Sequence, residues 1–589
     1  MKRRTNILGF AGAVALAFFA LLSTTSCADR REVGDLSNAG GASLETREYY
    51  EQALETAKER LSRSPDDSQA LNDLSASYNG LGLLAEAEGS YQEAREYFEQ
   101  ALEIAKKLAS RSPNDTQALC NLSASYNSLG LLAKAEGASQ EARKFYEQAL
   151  EIREQLVSRY PNDTQALSAL SASYISLGLL AEAEGASQEA RKFYEQAFEI
   201  NKKRVSRYPN DAQALRDLSD SYISLGLLAE AEGASQEARK YYEQALEIVK
   251  NLASRSPDDL EALRDLSASY GKLSKLAYVE SSSQKAREYC EQALEINKKR
   301  VSRYPDDLET LRDLSGSYCK LSVLAYIEGS SQKAREYCEQ ALEINKKRVS
   351  RTPDDPEALN DLSDCYDNLA ALANAEGPSQ EAQEYFEQAL EINKKRVSRT
   401  PNDPEALNDL SDSYNSLGLL AEAEGSSQKA QEYYEQTLEI RKQIVSRSPN
   451  DAQALCDLSS SYGKLSKLAY LEGSIQEARE YCEQALEIDK KRVSRSPDDP
   501  EALRELSVSY NNLGSLAYLE GASQEARKYF EQALEINKKR VSRTPNDPEA
   551  LRHLSGSYQR LGALAEAEGD QAKVKEYQKK LEELETRGI

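Results

Sequence analysis

The chain has 589 residues, a net charge of −23, a single histidine (His553) and no tryptophan. One histidine leaves no basis for a His-based catalytic triad or a His metal site. An acidic chain also lacks the clustered positive charge that replaces counterions on a duplex, so nucleic acid is not expected as a partner.

The first 27 residues read as an export signal. Lys2-Arg3-Arg4 is its positive region, and Ile7–Leu22 is an apolar run too short for an ordinary membrane span. Thr24-Thr25-Ser26-Cys27 resembles a bacterial lipobox, with Thr24 where that motif usually has Leu. The resemblance implies cleavage after residue 26, lipidation of Cys27 and a location in the bacterial cell envelope, facing periplasm or cell surface. Removing residues 1–26 takes away Lys2, Arg3 and Arg4 and no acid, which moves the net charge from −23 to −26. Residues 27–42 contain Gly40-Gly41 and few apolar side chains, as in a flexible tether. Nothing after the signal reads as long and apolar enough to cross a bilayer.

Ala, Leu, Glu and Lys dominate the remainder and strong β-formers are sparse, so the class is all-α. Residues 43–64 form a lone helix whose Tyr49-Tyr50-Glu51-Gln52-Ala53-Leu54 matches the second helix of every later unit. A 48-residue pattern then runs over 65–570 without insertion or deletion, with Pro at 65, 113, 161 and onward to 545. Such a period means stacked helix pairs, about 23 antiparallel helices in all. Asp stands two residues after each proline as an N-cap. Leu71, Leu74, Tyr78 and Leu81 mark the apolar face of the first helix, which ends near Gly89. Eight units place Ser two residues later, as at Ser139, to cap the second helix. Ala94, Phe98, Ala101 and Leu102 form that helix's apolar face. Basic helix ends, such as Arg111 and Asn297-Lys298-Lys299-Arg300, complement the helix dipole. Residues 571–589 lose the pattern and read as a capping helix with a polar outer face. His553 replaces the Asp or Asn of most units and is expected to be exposed. Eight Cys show no metal-ligand spacing. Equivalent positions in neighbouring units lie about 10 Å apart, too far for disulfides, so the thiols read as free.

Tyr78, Leu81-Gly82, Gly89, Ala94, Phe98 and Ala101 resemble the tetratricopeptide repeat, with Tyr where that family often has Trp. The resemblance implies a right-handed α-α superhelix, no enzymatic activity, no cofactor, and peptide or protein partners held on a groove lined by first helices. The usual unit has about 34 residues. The extra residues here lengthen each helix by about two turns. Leu71, Leu74 and Leu108 supply the added core.

By the same resemblance, the positions of Asn79, Leu83 and Glu86 face the groove. Asn127, Asn415 and Asn511 occupy the first of these in later units. The third becomes Tyr278, Tyr326, Tyr470 and Tyr518, with Lys275 and Lys467 one turn before two of them. Aromatic and basic groups together suit recognition of a peptide, a glycan or an acidic patch. The same tyrosines could instead fill space, because three of their units exchange a Gly and a ring for Ser274–Cys290, Ser322–Cys338 and Ser466–Cys482. Tyr518 stands against that account, since its unit keeps Gly514 and Phe530. The expected function is a lipid-anchored scaffold for proteins or peptides. The alternative is a glycan-binding or polysaccharide-export accessory lipoprotein.

Overall fold

The computed structural model describes residues 42–585 apart from 88, 376 and 378. The expected signal peptide, the lipidated Cys27 and the tether up to residue 41 lie outside the described residues. Among those described there are 23 α-helices and no strand. They form two units, one ending at Thr352 and one beginning at Pro353. The first runs from the helix Ala42–Arg63 to Ser331–Arg351, the second from Pro356–Ala375 to Gln571–Glu585. Each unit is an all-α solenoid of antiparallel helix pairs. A typical pair has 20 and 21 residues, Ser68–Ala87 and Tyr91–Arg111, or about 30 Å per helix.

The Asp caps form as the sequence requires. Asp67 accepts from Ala70 N at 3.0 Å, and Asp115 from Gln117 N at 3.0 Å. At the far end of the first helix, Gly137 takes φ +75° and Ala138 N donates to Ala133 O at 2.8 Å. One turn keeps this geometry without Gly: Ser281 has φ +58°, and Ser282 N donates to Ala277 O at 2.8 Å. The expected Ser cap of the second helix is absent in most units. Ser139 is already helical, and Ala138 holds the cap position with no side-chain bond. The turn's backbone bonds fix the entry of the chain, so a side-chain cap has little left to do. Ser379 differs, accepting from Ala382 N at 3.2 Å.

Glycine lets the two helices of a pair approach closely. A Cβ on Gly82 would stand 2.4 Å from the Phe98 ring, and one on Gly178, Gly226 or Gly418 would meet Tyr194, Tyr242 or Tyr434 at 2.4–2.5 Å. Where Ser replaces this Gly, the ring becomes Cys: Ser274 Oγ donates to Ala286 O at 2.7 Å and lies 2.9 Å from Cys290 Sγ. No disulfide joins any of the seven described cysteines.

The lengthened ends pack as expected around Leu71 and Leu108, joined by Ala118 of the next unit, while Leu74 packs on Leu54 and Ala57. They also bury a polar chain. Asn297 and Arg300, read above as a basic helix end, are 1% and 0% exposed. Asn297 Nδ2 donates to Asp313 O at 3.1 Å and Ser317 Oγ at 3.0 Å, and Arg300 bonds Asn297 and Asp313. The guanidinium thus ties one pair to the next instead of serving its own helix's dipole. The arginine two residues before the proline is redirected to a neighbouring repeat in several repeats. Arg303 donates to Pro257 O at 2.9 Å, and Arg495 to Pro449 O at 2.9 Å. Both carbonyls belong to the preceding unit's loop. His553 is half-buried, with its pKa lowered by burial. One helix, Thr164–Ala183, is long and apolar enough to cross a membrane by composition, contrary to the reading above. It packs inside the stack through Leu167, Leu170, Leu177 and Leu180, which makes it a core helix. The last helix is held by Leu584, with Tyr577 and Leu581 beside it.

Two predictions follow from the turn and from the glycine contact. Ser281→Gly should relieve roughly 1 kcal/mol of left-handed strain and slow hydrogen exchange at Ser282; faster exchange would contradict it. Gly418→Ser should overpack the pair by about 1–3 kcal/mol, and Tyr434→Cys should cost about 3 kcal/mol by leaving a cavity. Combined, they reproduce the pairing at Ser466 and Cys482. Hydrogen exchange across residues 413–438 should show the double variant losing at least about 1 kcal/mol less than the sum of the single losses. Strict additivity would remove the proposed coupling.

Candidate binding surface

The third of the expected groove positions, that of Glu86, ends the first helix, where it faces the ring position of the second. Glu182 accepts from Tyr194 Oη at 2.8 Å, Glu230 from Tyr242 Oη at 2.8 Å and Glu422 from Tyr434 Oη at 2.9 Å. Tyr278, Tyr326, Tyr470 and Tyr518 all stand opposite a residue without a hydroxyl: Cys290, Cys338, Cys482 and Phe530. Tyr518 shares that feature with the other three, although Glu86 and Asn374 also stand opposite rings without a hydroxyl, Phe98 and Phe386. The four are not equivalent. Tyr278 is half-buried against the cluster containing Ala277, Ala286 and Cys290. Tyr326 is half-buried as well, whereas Tyr470 and Tyr518 are each 44% exposed.

Lys275 and Lys467 reach back one unit to the glutamates of the same position. Lys275 Nζ lies 3.0 Å from Glu230, and Lys467 pairs with Glu422. The asparagines are drawn into contacts between units. Asn79 Nδ2 donates to Ser125 Oγ at 3.2 Å, Asn415 accepts from Lys464, and Asn127 and Asn511 are each only 8% exposed. Asn511 Oδ1 has no partner among the described residues.

The residue after each tyrosine escaped the sequence reading. Val279, Ile327, Leu471 and Leu519 are 52%, 44%, 63% and 53% exposed. Every other unit has Ala there, so the signal was present in the column. Each tyrosine therefore begins a two-residue apolar step at the turn end of its helix pair.

A second departure is acidic. Asp364 and Asp412 stand where most units have a small residue. Burial and neighbouring Asp409, Asp361 and Asp367 raise the Asp364 pKa well above the carboxylate range. Burial, with Asp409 and Asp412, pushes Asp367 up to about 8. Burial also raises Asp409, to about 6, against the opposing bond from Arg396 at 2.6 Å. Nearby Lys464 lies 5.8 Å from the Tyr434 ring, and burial followed by repulsion from Arg441 lowers it to about 8. Among the described residues no group of three His, Cys, Asp or Glu could hold a metal ion.

A carboxyl whose folded pKa exceeds its ordinary value of 3.8 loses stability as pH rises toward the folded value. Asp367→Asn cannot ionise. Its stability relative to the parent chain should therefore rise between pH 4 and pH 9, followed by hydrogen exchange across residues 364–369. A difference independent of pH would rule out the shifted carboxyl.

Models of the tetratricopeptide repeat match this chain at residues 73–155, 366–443 and 457–539, and again at 171–204, 219–251 and 315–348. Among solved structures it is similar to BtubC (BKLC) from P. vanneervenii, at 20% identity and a TM-score of 0.35, covering 44% of this chain and 92% of that one. It is similar to the apo form of RapI at 13% identity and a TM-score of 0.41, covering 71% and 98%. It is also similar to a monomeric mutant of IFIT1 with m7Gppp-AAAA, at 15% identity and a TM-score of 0.30, covering 78% and 90%. No curated protein matches it.

Proposed function

Because the chain belongs to the tetratricopeptide repeat family, we propose that it is a lipid-anchored, extracytoplasmic scaffold that binds peptides or protein surfaces along its first helices. The observation that carries this reading is the set of exposed tyrosine–aliphatic steps, chiefly Tyr470-Leu471 and Tyr518-Leu519. A repeat that elsewhere ends in a charged or polar residue and Ala gains nothing in its own core from an exposed Leu. Aromatic and aliphatic side chains displayed side by side are what a protein interface desolvates most profitably. The anchor rests on the apolar run Ile7–Leu22 and on Ser26-Cys27. Lipidated Cys27 would be the membrane attachment, and residues 27–42 the tether.

The test places photo-crosslinking residues at Tyr470 and Tyr518 of the full chain in its native envelope. Discrete protein adducts are expected, and they should disappear when Tyr278, Tyr326, Tyr470 and Tyr518 are changed to Ala in a chain carrying the crosslinker at Leu471 and Leu519. Adducts with polysaccharide alone would transfer the function to glycan binding. Separately, Cys27→Ser should move the protein to the soluble fraction; retention in the membrane as an unprocessed precursor would refute the lipid anchor.

A further inference from the structure

Along the turn end of the first structural unit runs an ion-pair ladder between neighbouring repeats. Arg95 reaches Glu141 at 3.1 Å, Arg143 reaches Glu189 at 3.0 Å, and Arg191 reaches Glu237 at 3.1 Å. Each of these arginines also pairs with a glutamate just before the turn: Glu136, Glu184 and Glu232. At the next two steps the ladder changes sign. Lys285 and Lys333 replace the second glutamate, leaving Arg239 with Glu280 and Arg287 with Glu328. Both lysines are exposed, and neither has an ionic partner among the described residues. The same two repeats carry the steps Tyr278-Val279 and Tyr326-Ile327, so each turn joins an exposed aliphatic residue to an unpaired cation within six positions.

Packing explains neither the aliphatic residues nor the lysines. Val279 and Ile327 project outward, and Lys285 and Lys333 forgo an ion pair that the preceding repeats make. In a chain of net charge −23 the local excess of positive charge selects for an anion. The aliphatic residues beside it select for apolar side chains on the same ligand. Tyr470-Leu471 and Tyr518-Leu519 offer the contrast, because their turns keep Glu477 and Glu525, and Arg479 reaches Glu525.

We propose that the two turns bearing Tyr278-Val279-Lys285 and Tyr326-Ile327-Lys333 form a docking site for an acidic protein segment with apolar anchors. The inference rests on the scaffold reading and adds the chemistry of one partner. Neighbouring repeats stand about 10 Å apart, so anchors separated by about three extended residues or about seven helical ones would reach both turns.

The probes are short fluorescein-labelled peptides with two Leu anchors, at either spacing, among glutamates. Companion peptides carry Lys in place of Glu, or Ser in place of Leu. Each is titrated against the purified full chain by fluorescence anisotropy, alongside phosphatidylglycerol vesicles. A Leu/Glu peptide should bind, more weakly at high salt, and neither companion should compete. Lys285→Glu with Lys333→Glu restores the ladder of the preceding repeats, so helicity by circular dichroism should hold while affinity falls at least tenfold. Val279→Ala with Ile327→Ala should lower it similarly. Lys429→Glu, the same exchange in a repeat whose first helix ends in Glu422-Ala423, should leave affinity unchanged. Failure of both Leu/Glu peptides to bind, equal binding of the Lys peptide, or an equal loss in Lys429→Glu would overturn the proposal. So would vesicle binding through Lys285 and Lys333 without peptide binding, which would make the surface a membrane contact. The crosslinking at Tyr470 and Tyr518 reads the scaffold separately, so either idea can fail alone.

Discussion

Everything in this structure depends on how closely the two helices of a pair approach. The approach is set where a backbone without a Cβ passes beneath an aromatic ring. A ring lying 2.4–2.6 Å from where the Cβ would be leaves no room for even a methyl group on Gly82, Gly178 or Gly418. The alternative, Ser with Cys, restores the fit by shrinking the ring position and tying the two helices through a hydroxyl. Among the pairs with a ring or Cys at this position, only one departs from these two solutions, keeping the Phe386 ring against Ala370; the others make the exchange as a set, because a close-packed interior registers the loss or gain of a single carbon. The choice then propagates. The hydroxyls of Tyr194, Tyr242 and Tyr434 hold a glutamate at the end of the first helix, and a position without a hydroxyl leaves that end free to carry tyrosine.

The lengthened ends of the helices follow a different rule. They bury amides and guanidiniums that reach partners in the next pair, as Asn201 does with Ser221 and Arg204 with Asp217, while Asn201 also donates to Ser171 of its own pair. Leaving such a group unpaired costs about 1–3 kcal/mol. The equivalent position reads Arg153, Asn201, Val249 and Asn297 in successive repeats. A stack assembled out of register would set buried polar groups against apolar ones. Near-identical repeats thereby acquire a means of telling neighbours apart, which their shared leucines cannot provide.

Much of the fold was legible because it rests on periodic, local rules: Asp before a helix, Gly after it, leucines at spacings of three and four. Gly82 and Phe98 were legible as members of one motif, though their contact was not. The fate of Arg300 and Arg303 was hidden, since a cation near a helix end satisfies its own carbonyls or a neighbour's equally well until the stack is assembled. Of the candidate surface, the tyrosines stood out because they break a column. Val279, Ile327, Leu471 and Leu519 broke the adjacent column and passed unnoticed, because an aliphatic residue after a tyrosine looks like core. Only the twist of the helix past its last buried residue turns them outward. The raised Asp367 was illegible for a similar reason: no spacing along one helix reveals carboxylates contributed by the next.

The division between fixed and variable positions has a physical origin that bears on function. Buried positions that touch a neighbouring repeat are constrained twice, by their own pair and by the next. Turn-end positions answer to one ion-pair ladder, whose exposed pairs are each worth about 1 kcal/mol or less. Exchanging Glu237's counterpart for Lys285, or Ala231's for Val279, therefore costs the stack little. A stacked array can thus change the sign and apolarity of one stretch of its surface while the scaffold beneath stays the same. The sites of such changes are where a partner's chemistry is written, and in the first structural unit they coincide in two adjacent turns.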